Sequence, residues 1–153
     1  GDPIVLLDGE NVNAHLRTEE VSAMASVSSA VPRVREKLLD LQRKLARTMS
    51  VVMDGRDIGT TILPDADVKI YLTASSLTRA RRRYLEYQEK GEPCDLAEIQ
   101  KTIEERDQRD MTREISPLCQ AEDAVLVDSS ELTIDETVEK ILSVYHSKVS
   151  EKE

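Results

Sequence analysis

The segment from Asp54 to Ala66 constrains the fold of this chain more than any other part of the sequence. It reads Asp-Gly-Arg-Asp-Ile-Gly-Thr-Thr-Ile-Leu-Pro-Asp-Ala and lies between two short apolar runs, Val51–Met53 and Val68–Leu72. Short runs rich in β-branched residues predict buried strands. We expect these two runs to be parallel strands of an α/β sheet. Open sheets of this kind bind ligands at the carboxyl ends of their strands, so the segment is predicted to hold a polar site.

The residue types in this segment suit an anionic or hydroxyl-rich ligand. Arg56 stands between Asp54 and Asp57, with glycines at positions 55 and 59. A guanidinium can form two parallel hydrogen bonds with a phosphate or a carboxylate. The aspartates can accept hydrogen bonds from a base or a sugar, and the glycines let the backbone approach a ligand closely.

Composition limits the classes of protein that the chain can represent. Its 153 residues suit one domain with a core, or one domain with a small insert. A net charge of -9 argues against nonspecific binding of nucleic acid or membranes through bulk charge. No apolar run is long enough to span a bilayer, and no signal pattern is evident. Cys94 and Cys119 do not have the spacing of metal ligands, and we expect no protein metal site. We expect both to be reduced thiols in a cytoplasmic protein.

The first third of the chain predicts a hairpin followed by two helices. Residues 4–7 form an apolar run that leads into an Asp-Gly turn, and residues 17–30 have a helical pattern. Pro32 is suited to the first turn of a second helix. In that helix an apolar stripe is expected to face a core; its residues are Val34, Leu38, Leu41 and Leu45.

The remainder predicts three helices and one more strand. The first helix is expected to begin at the capping residues 73–76 and to end at about Lys90, and the second to run from about Leu96 to Met111. A strand is expected at 124–128, followed by the third helix. Thr133 and Glu136 have the spacing of a capping box at the start of the last helix. That helix has a predicted buried face that comprises Ile134, Val138, Ile141, Leu142 and Tyr145. The tail 147–153 is expected to fray.

Two basic clusters accompany the Asp54–Ala66 segment. Arg106, Asp110 and Arg113 are spaced at i, i+4 and i+7, so on a helix they project from the same face. Two guanidiniums on either side of a carboxylate could clamp a phosphorylated sugar. A solvated helix face with ion pairs is the alternative. The second cluster could grip a phosphate or form a basic surface helix; its members are Arg79, Arg81, Arg82 and Arg83.

These segments, in this order, make the chain resemble the bacterial-type cytidylate kinases of the nucleoside monophosphate kinase group. The resemblance covers nearly the whole chain. The segments that carry it are Arg17–Val21, Pro32–Glu36, Asp54–Thr60, Leu63–Ala66, Arg79–Arg83, Glu89–Gly91, Glu105–Asp107, Asp110–Arg113 and Pro117–Leu118.

The resemblance implies an α/β fold of the P-loop kinase type, with a parallel sheet flanked by helices. Residues 1–49 would form part of a monophosphate-binding insert and the helix after it. Residues 50–153 would form the core α/β domain, including a helical lid at about 79–113. The implied reaction transfers the γ-phosphoryl group of ATP, bound with Mg²⁺, to CMP or dCMP, giving ADP and CDP or dCDP.

The resemblance also implies a function for individual side chains. Base recognition would fall to Ser26, Arg35 and Asp57. Arg56 and Arg113 would hold the CMP phosphate and act in catalysis. Arg106 and Asp110 would face the sugar, and Arg106 could equally reach the phosphate. Arg82 and Arg83, at the start of the lid, would approach ATP.

One departure from the family pattern is large. Kinases of this group have a phosphate-binding loop of the form G-x-x-x-x-G-K-[ST], and the sequence contains none. We expect the chain to begin inside the family's insert, without that loop, its helix and the next strand. Unpaired strand edges would then favour self-association, and the chain alone would have little or no kinase activity. The alternatives are a noncatalytic nucleotide-binding or interaction module and a kinase for UMP or AMP. The base-contacting set points away from the latter.

Overall fold

A computed structural model describes residues 4–16, 18–29 and 31–150, except for the side chains of Glu19, Ser22 and Ser26. Contacts divide the chain into two compact units, residues 1–51 and 52–153, and each is described by itself.

The N-terminal unit contains a short ribbon and two helices. Strands β1 (Leu6–Leu7) and β2 (Glu10–Asn11) pair antiparallel. Between them Asp8 and Gly9 have φ values of 51° and 88°, which a tight turn requires. Helix α1 spans Glu19–Ser29, and α2 spans Pro32–Thr48 with proline in its first turn. The predicted hairpin and both helices are confirmed.

The expected burial of the α2 stripe is wrong. Val34, Leu38, Leu41 and Leu45 are 38%, 47%, 54% and 45% exposed, and no described residue of α2 is buried. The periodicity correctly predicts the helix and its apolar face. It does not show what covers that face, and a unit of about fifty residues buries a smaller fraction of its surface than a larger domain does.

The C-terminal unit has a two-stranded parallel sheet with helices after each strand. The sheet consists of β3 (Ile70–Thr73) and β4 (Val125–Asp128), paired in the register Ile70↔Val125 to Thr73↔Asp128. Three helices belong to this unit: α3 (Ser76–Glu89), α4 (Leu96–Thr112) and α5 (Ile134–Ser150). Helices α3 and α4 pack against each other, and α5 packs against β4. The α/β class and a parallel sheet are confirmed, whereas the pairing of β3 with β4 was not predicted.

The caps that the sequence predicts also form. Ser75 caps α3 by accepting a hydrogen bond from the Thr78 amide. Asp95, to which the sequence analysis gave no such role, caps α4 by accepting from the Glu98 amide. At the start of α5, the Thr133 amide donates to Glu136 Oε2 at 2.8 Å and the Glu136 amide donates to Thr133 Oγ1 at 3.2 Å. This reciprocal pair satisfies two amides that the first helical turn leaves without partners.

Three other expectations are wrong. The run Val51–Met53 forms no strand, since within the described part of the chain it is not paired with any other strand. The α5 stripe is not a buried face, since Ile134 is 84% exposed and Leu142 47% exposed. Strand β4 extends about 13 Å and α5 about 25 Å, so the strand cannot cover the helix. The tail also remains helical as far as Ser150, and residues 151–153 lie outside the described residues.

The core of the C-terminal unit is small. Ile62, Ala74, Ala80 and Val127 are its buried apolar residues, and Ala80 and Val127 are fully buried. Among the helices in the described ranges, none is both long enough and apolar enough to cross a membrane. Both cysteines are free thiols, as predicted.

Candidate functional site

A buried carboxylate joins the Asp54–Ala66 segment to the end of α4. Asp110, in the last turn of α4, has a side chain that is 8% exposed. Arg56 Nε donates a hydrogen bond to Asp110 Oδ2, across 54 residues of sequence. Because a buried charge is costly without a partner, this ion pair fixes the arginine of the segment against the helix.

Two further guanidiniums approach the same carboxylate. Arg106 Nε lies 3.9 Å from Asp110 Oδ2, and Arg113 Nη1 lies 4.0 Å from Asp110 Oδ1. The spacing of four residues puts Arg106 and Asp110 on one face of α4, as the sequence predicts. Arg113 lies just past the end of the helix, with an extended backbone, and approaches Asp110 from there. The group of Arg56, Arg106, Arg113 and Asp110, called here the arginine cluster, has a net charge of +2 when ionised.

The positive charges of the arginine cluster are close enough to oppose one another. Burial lowers the pKa of Arg106 from its ordinary value, and the positive charge of Arg56 lowers it further. The attraction of Asp110 acts in the opposite direction and does not outweigh them. A dianionic phosphate beside the cluster would relieve this repulsion and could accept charge-assisted hydrogen bonds from the exposed sides of the guanidiniums.

The turn after α4 holds the end of the cluster in place. Arg113 Nε donates to the Ser116 carbonyl at 2.7 Å, and the Leu118 amide donates to the Asp110 carbonyl at 2.7 Å. Ser116 has a φ of 50°, an uncommon conformation for a residue other than glycine, and its carbonyl thereby reaches Arg113.

The Asp54–Ala66 segment is not an irregular loop throughout. Residues Ile58–Ile62 form a π-helical turn, and the carbonyl of Asp57 accepts from the Thr61 and Ile62 amides at 2.9 and 3.1 Å. Single π-helical turns are rare and are found most often at functional sites. A Cβ built on Gly55 would lie 2.9 Å from Ile58 Cγ1, so any other residue at position 55 would require the Ile58 side chain to shift.

Asp57, predicted to read the base, is one of the few buried charged residues, at 8% exposure. It lies between Arg56 and the first residue of the π-helical turn, Ile58. Its backbone therefore shapes the turn, while its neighbour reaches the arginine cluster.

Arg82 and Arg83, predicted to approach ATP, lie on α3. Arg82 Nη2 donates to the carbonyls of Ser129 and Leu132 at 2.6 and 3.3 Å, which ties α3 to the loop after β4. Arg83 Nε donates to the Tyr87 hydroxyl at 2.8 Å, and its charge contributes to the lowered pKa of Arg106. Their contact with ATP stays a prediction.

The remaining predicted base contacts belong to the N-terminal unit. Arg35 is half-buried on α2, and its Nη1 donates to the Ser29 carbonyl at 3.2 Å. The side chain of Ser26 lies outside the described residues. The structure therefore brings together the predicted phosphate and sugar residues, and the base contacts of Ser26 and Arg35 stay predictions.

A shallow cleft of about 180 Å³ runs along the segment and β3, lined in part by Met53, Arg56, Gly59, Lys69 and Tyr71. This volume is below the usual range of about 300–1,000 Å³ for small-molecule pockets. Among the residues that the structure describes, no group of three or more histidine, cysteine, aspartate or glutamate side chains is placed to hold a metal ion.

The structure adds two features that the sequence analysis did not assign. Arg79 forms a two-pronged ion pair with Asp107, with Nη1 to Oδ1 at 2.9 Å, and so joins α3 to α4. The hydrogen bonds that Arg79 donates to Asp107 raise the pKa of Arg79. Lys69 is the second feature, with an ammonium group bound to Pro64 and Asp123. The position of Lys69 inside the apolar run Val68–Leu72 was the feature of the sequence that could have indicated a paired lysine there.

Comparison with known proteins supplies a family. The family model described as Cytidylate kinase matches residues 2–147. A cytidylate kinase of Caldicellulosiruptor saccharolyticus is 48% identical over 149 residues, which are 97% of this chain and 66% of that protein. Those of Lactobacillus johnsonii and Desulfitobacterium hafniense are 49% and 52% identical, over 97% and 95% of this chain. The chain spans 66%, 64% and 62% of the lengths of these three relatives.

Proposed function

The chain belongs to the cytidylate kinase family, and on that premise we propose that it carries the nucleoside monophosphate site of a kinase that phosphorylates CMP or dCMP. The arginine cluster is the observation that carries the proposal. Three guanidiniums around one buried carboxylate leave an excess of positive charge where a phosphate can bind.

In this proposal Arg56 and Arg113 hold the phosphate of CMP and stabilise the charge that is transferred. Asp110 has two carboxylate oxygens, so it can orient the arginines and also accept from a sugar hydroxyl, and Arg106 borders the same position. Asp57, with Arg35 and Ser26, reads the cytosine edge. Phosphoryl transfer of this kind depends on positioning and on charge stabilisation rather than on a covalent intermediate.

ATP is the proposed phosphoryl donor, and Mg²⁺ enters as part of the ATP complex. Arg82 and Arg83 are the proposed ATP contacts, and α3 and α4, within residues 79–113, are the proposed lid. The sequence has no G-x-x-x-x-G-K-[ST] motif to cradle the ATP phosphates. We therefore expect this chain by itself to turn over little or no CMP, and to be able to self-associate through unpaired strand edges.

Calorimetric titration tests the monophosphate site without requiring turnover. The chain is titrated with CMP and with cytidine, which differs only by lacking the phosphate, and with UMP and AMP for base choice. Arg56→Ala should weaken CMP binding by roughly 30-fold or more, the size expected for a lost charge-assisted contact of about 2 kcal/mol, and should leave cytidine binding nearly unchanged. The matched control is Arg109→Ala, an exposed arginine on α4.

Equal loss of CMP and cytidine binding in Arg56→Ala would show that the arginine maintains the fold rather than gripping the phosphate. A folded chain that does not bind CMP would contradict the monophosphate site on this chain. A noncatalytic binding module is the second candidate, because the ATP phosphate motif is absent from the sequence. Adding the family's N-terminal segment as a separate polypeptide distinguishes the two, since only the kinase recovers CDP formation.

A further inference from the structure

Lys69 is a partly buried cation that the proposed chemistry does not use. Its side chain is 8% exposed, although lysines are almost never fully buried without a partner. The ammonium group donates to the Pro64 carbonyl and to both carboxylate oxygens of Asp123, at 2.9 and 2.8 Å. Burying a charge is costly unless it is paired, so these contacts fix where the side chain can lie.

The contacts of Lys69 join the Asp54–Ala66 segment to the sheet. Pro64 follows the π-helical turn, and Asp123 lies just before β4. The stem of the lysine runs beside the same turn, since a Cβ built on Gly59 would lie 3.3 Å from Lys69 Cδ. The backbone carbonyl of Lys69 accepts from the Val125 amide at 2.9 Å, so the residue is also anchored to β4.

We propose that Lys69 is a positioning residue that holds the π-helical turn against the sheet and thereby presents Arg56 to Asp110. The turn begins two residues after Arg56. The carbonyl of Asp57, the residue in between, accepts hydrogen bonds from amides within the turn. If the C-terminal end of the turn moves away from the sheet, the backbone that carries Arg56 is no longer held in one position, and its guanidinium is no longer directed at Asp110. The link to nucleotide binding rests on the proposed function, whereas the link to the geometry of the turn does not.

Amide hydrogen exchange tests the geometric part without a nucleotide. The Thr61, Ile62 and Leu63 amides close the turn on the carbonyls of Asp57 and Ile58. In Lys69→Met, which keeps an unbranched stem but removes the charge, their protection should fall by about tenfold or more, as expected for losing a charged hydrogen bond. Amides within α5 should keep their protection. The control is Lys101→Met, at a lysine side chain that is 78% exposed.

A merely structural lysine would give a different pattern. Unchanged protection of the three amides, or an equal loss throughout residues 52–150, would overturn the proposal. If Lys69→Met does not fold, Asp123→Ala carries the same test, because it removes one partner of the ammonium group at a side chain that is 63% exposed. It should give a smaller loss confined to the same three amides, and no loss there would count against the proposal.

Nucleotide titration then tests the functional part. Lys69→Met should weaken CMP binding by about tenfold, in line with the cost of misplacing a binding group from a distance, and should change cytidine binding less. Loss of amide protection with unchanged CMP affinity would overturn the positioning of Arg56. If the wild-type chain fails to bind CMP, the proposed function is contradicted while the exchange result still decides the geometry of the turn.

Discussion

Replacing Asp110 with asparagine removes the one negative charge of the arginine cluster with little change in shape. The side chain is 8% exposed and lies within 4.0 Å of Arg106 and Arg113, besides its hydrogen bond with Arg56. An asparagine oxygen can still accept one hydrogen bond. Three guanidiniums then repel one another without a carboxylate between them.

The size of the effect follows from the geometry. A unit charge pair at 4 Å is worth about 4 kcal/mol at an effective dielectric constant of about 20, before desolvation is subtracted. Breaking a fully buried pair costs about 3–5 kcal/mol. Because Arg56 and Arg106 are 39% and 38% exposed, water screens part of this attraction. We therefore expect Asp110→Asn to lower the free energy of unfolding by about 2 kcal/mol.

Tyrosine fluorescence during urea unfolding measures this change in the relevant unit. The chain has four tyrosines and no tryptophan, and all four tyrosines, at 71, 84, 87 and 145, belong to residues 52–153. The signal therefore reports the unit that contains the arginine cluster. The control is Asp65→Asn, an exposed aspartate of the same unit.

Anions provide the decisive comparison. Phosphate, at the ionic strength of a chloride reference, should narrow the stability difference between Asp110→Asn and the wild type, because it can replace the lost negative charge. A loss no larger than that of Asp65→Asn would refute the view that Asp110 gathers the arginines. A difference that phosphate leaves unchanged would refute the view that the cluster presents an anion site.

Two further predictions concern contacts outside the cluster. Arg79→Lys cannot retain the two-pronged contact with Asp107, and since Arg79 is 37% exposed the free energy of unfolding should fall by only about 0.5–1 kcal/mol. Urea unfolding measures the loss, with Arg81→Lys as the control. A loss of zero would mean that the ion pair does not stabilise the packing of α3 against α4. Hydrogen bonds from Thr133 lower the pKa of Glu136 below its ordinary 4.5, so its stabilisation is present above that pH and is lost as the pH falls through the lowered value. Glu136→Gln should therefore be less stable than the wild type at neutral pH and approach it below pH 4.5, and a pH-independent difference in melting temperature would contradict this.

Local signals in the sequence predicted the elements well. The Asp-Gly turn, Pro32, the Ser75 cap and the box of Thr133 and Glu136 each depend on atoms a few residues apart, and each occurs as expected. The helical spacing of Arg106 and Asp110 likewise placed them on one face of α4, whereas Arg113 lies just past the end of that helix. Interactions of short range are set by the chain itself, so a single sequence suffices to predict them.

Long-range partners were not predictable in this way. Nothing near Val52 in sequence shows whether it has a neighbouring strand, and the side chain is fully exposed. The ion pairs of Arg56 with Asp110 and of Lys69 with Asp123 each span 54 residues. Periodicity shows that a helix has an apolar face, but the covering surface for α2 and α5 depends on tertiary contacts that periodicity does not encode.

The parallel pairing of β3 with β4 has a consequence for the speed of folding. Ile70 must find Val125 across the intervening residues, which include both α3 and α4. Closing so long a loop costs entropy before any hydrogen bond of the sheet forms, whereas the hairpin of α3 and α4 forms from contacts close in sequence. The helical hairpin shortens the distance between the two strands, so the rate at which the sheet forms depends on how early those two helices pack together.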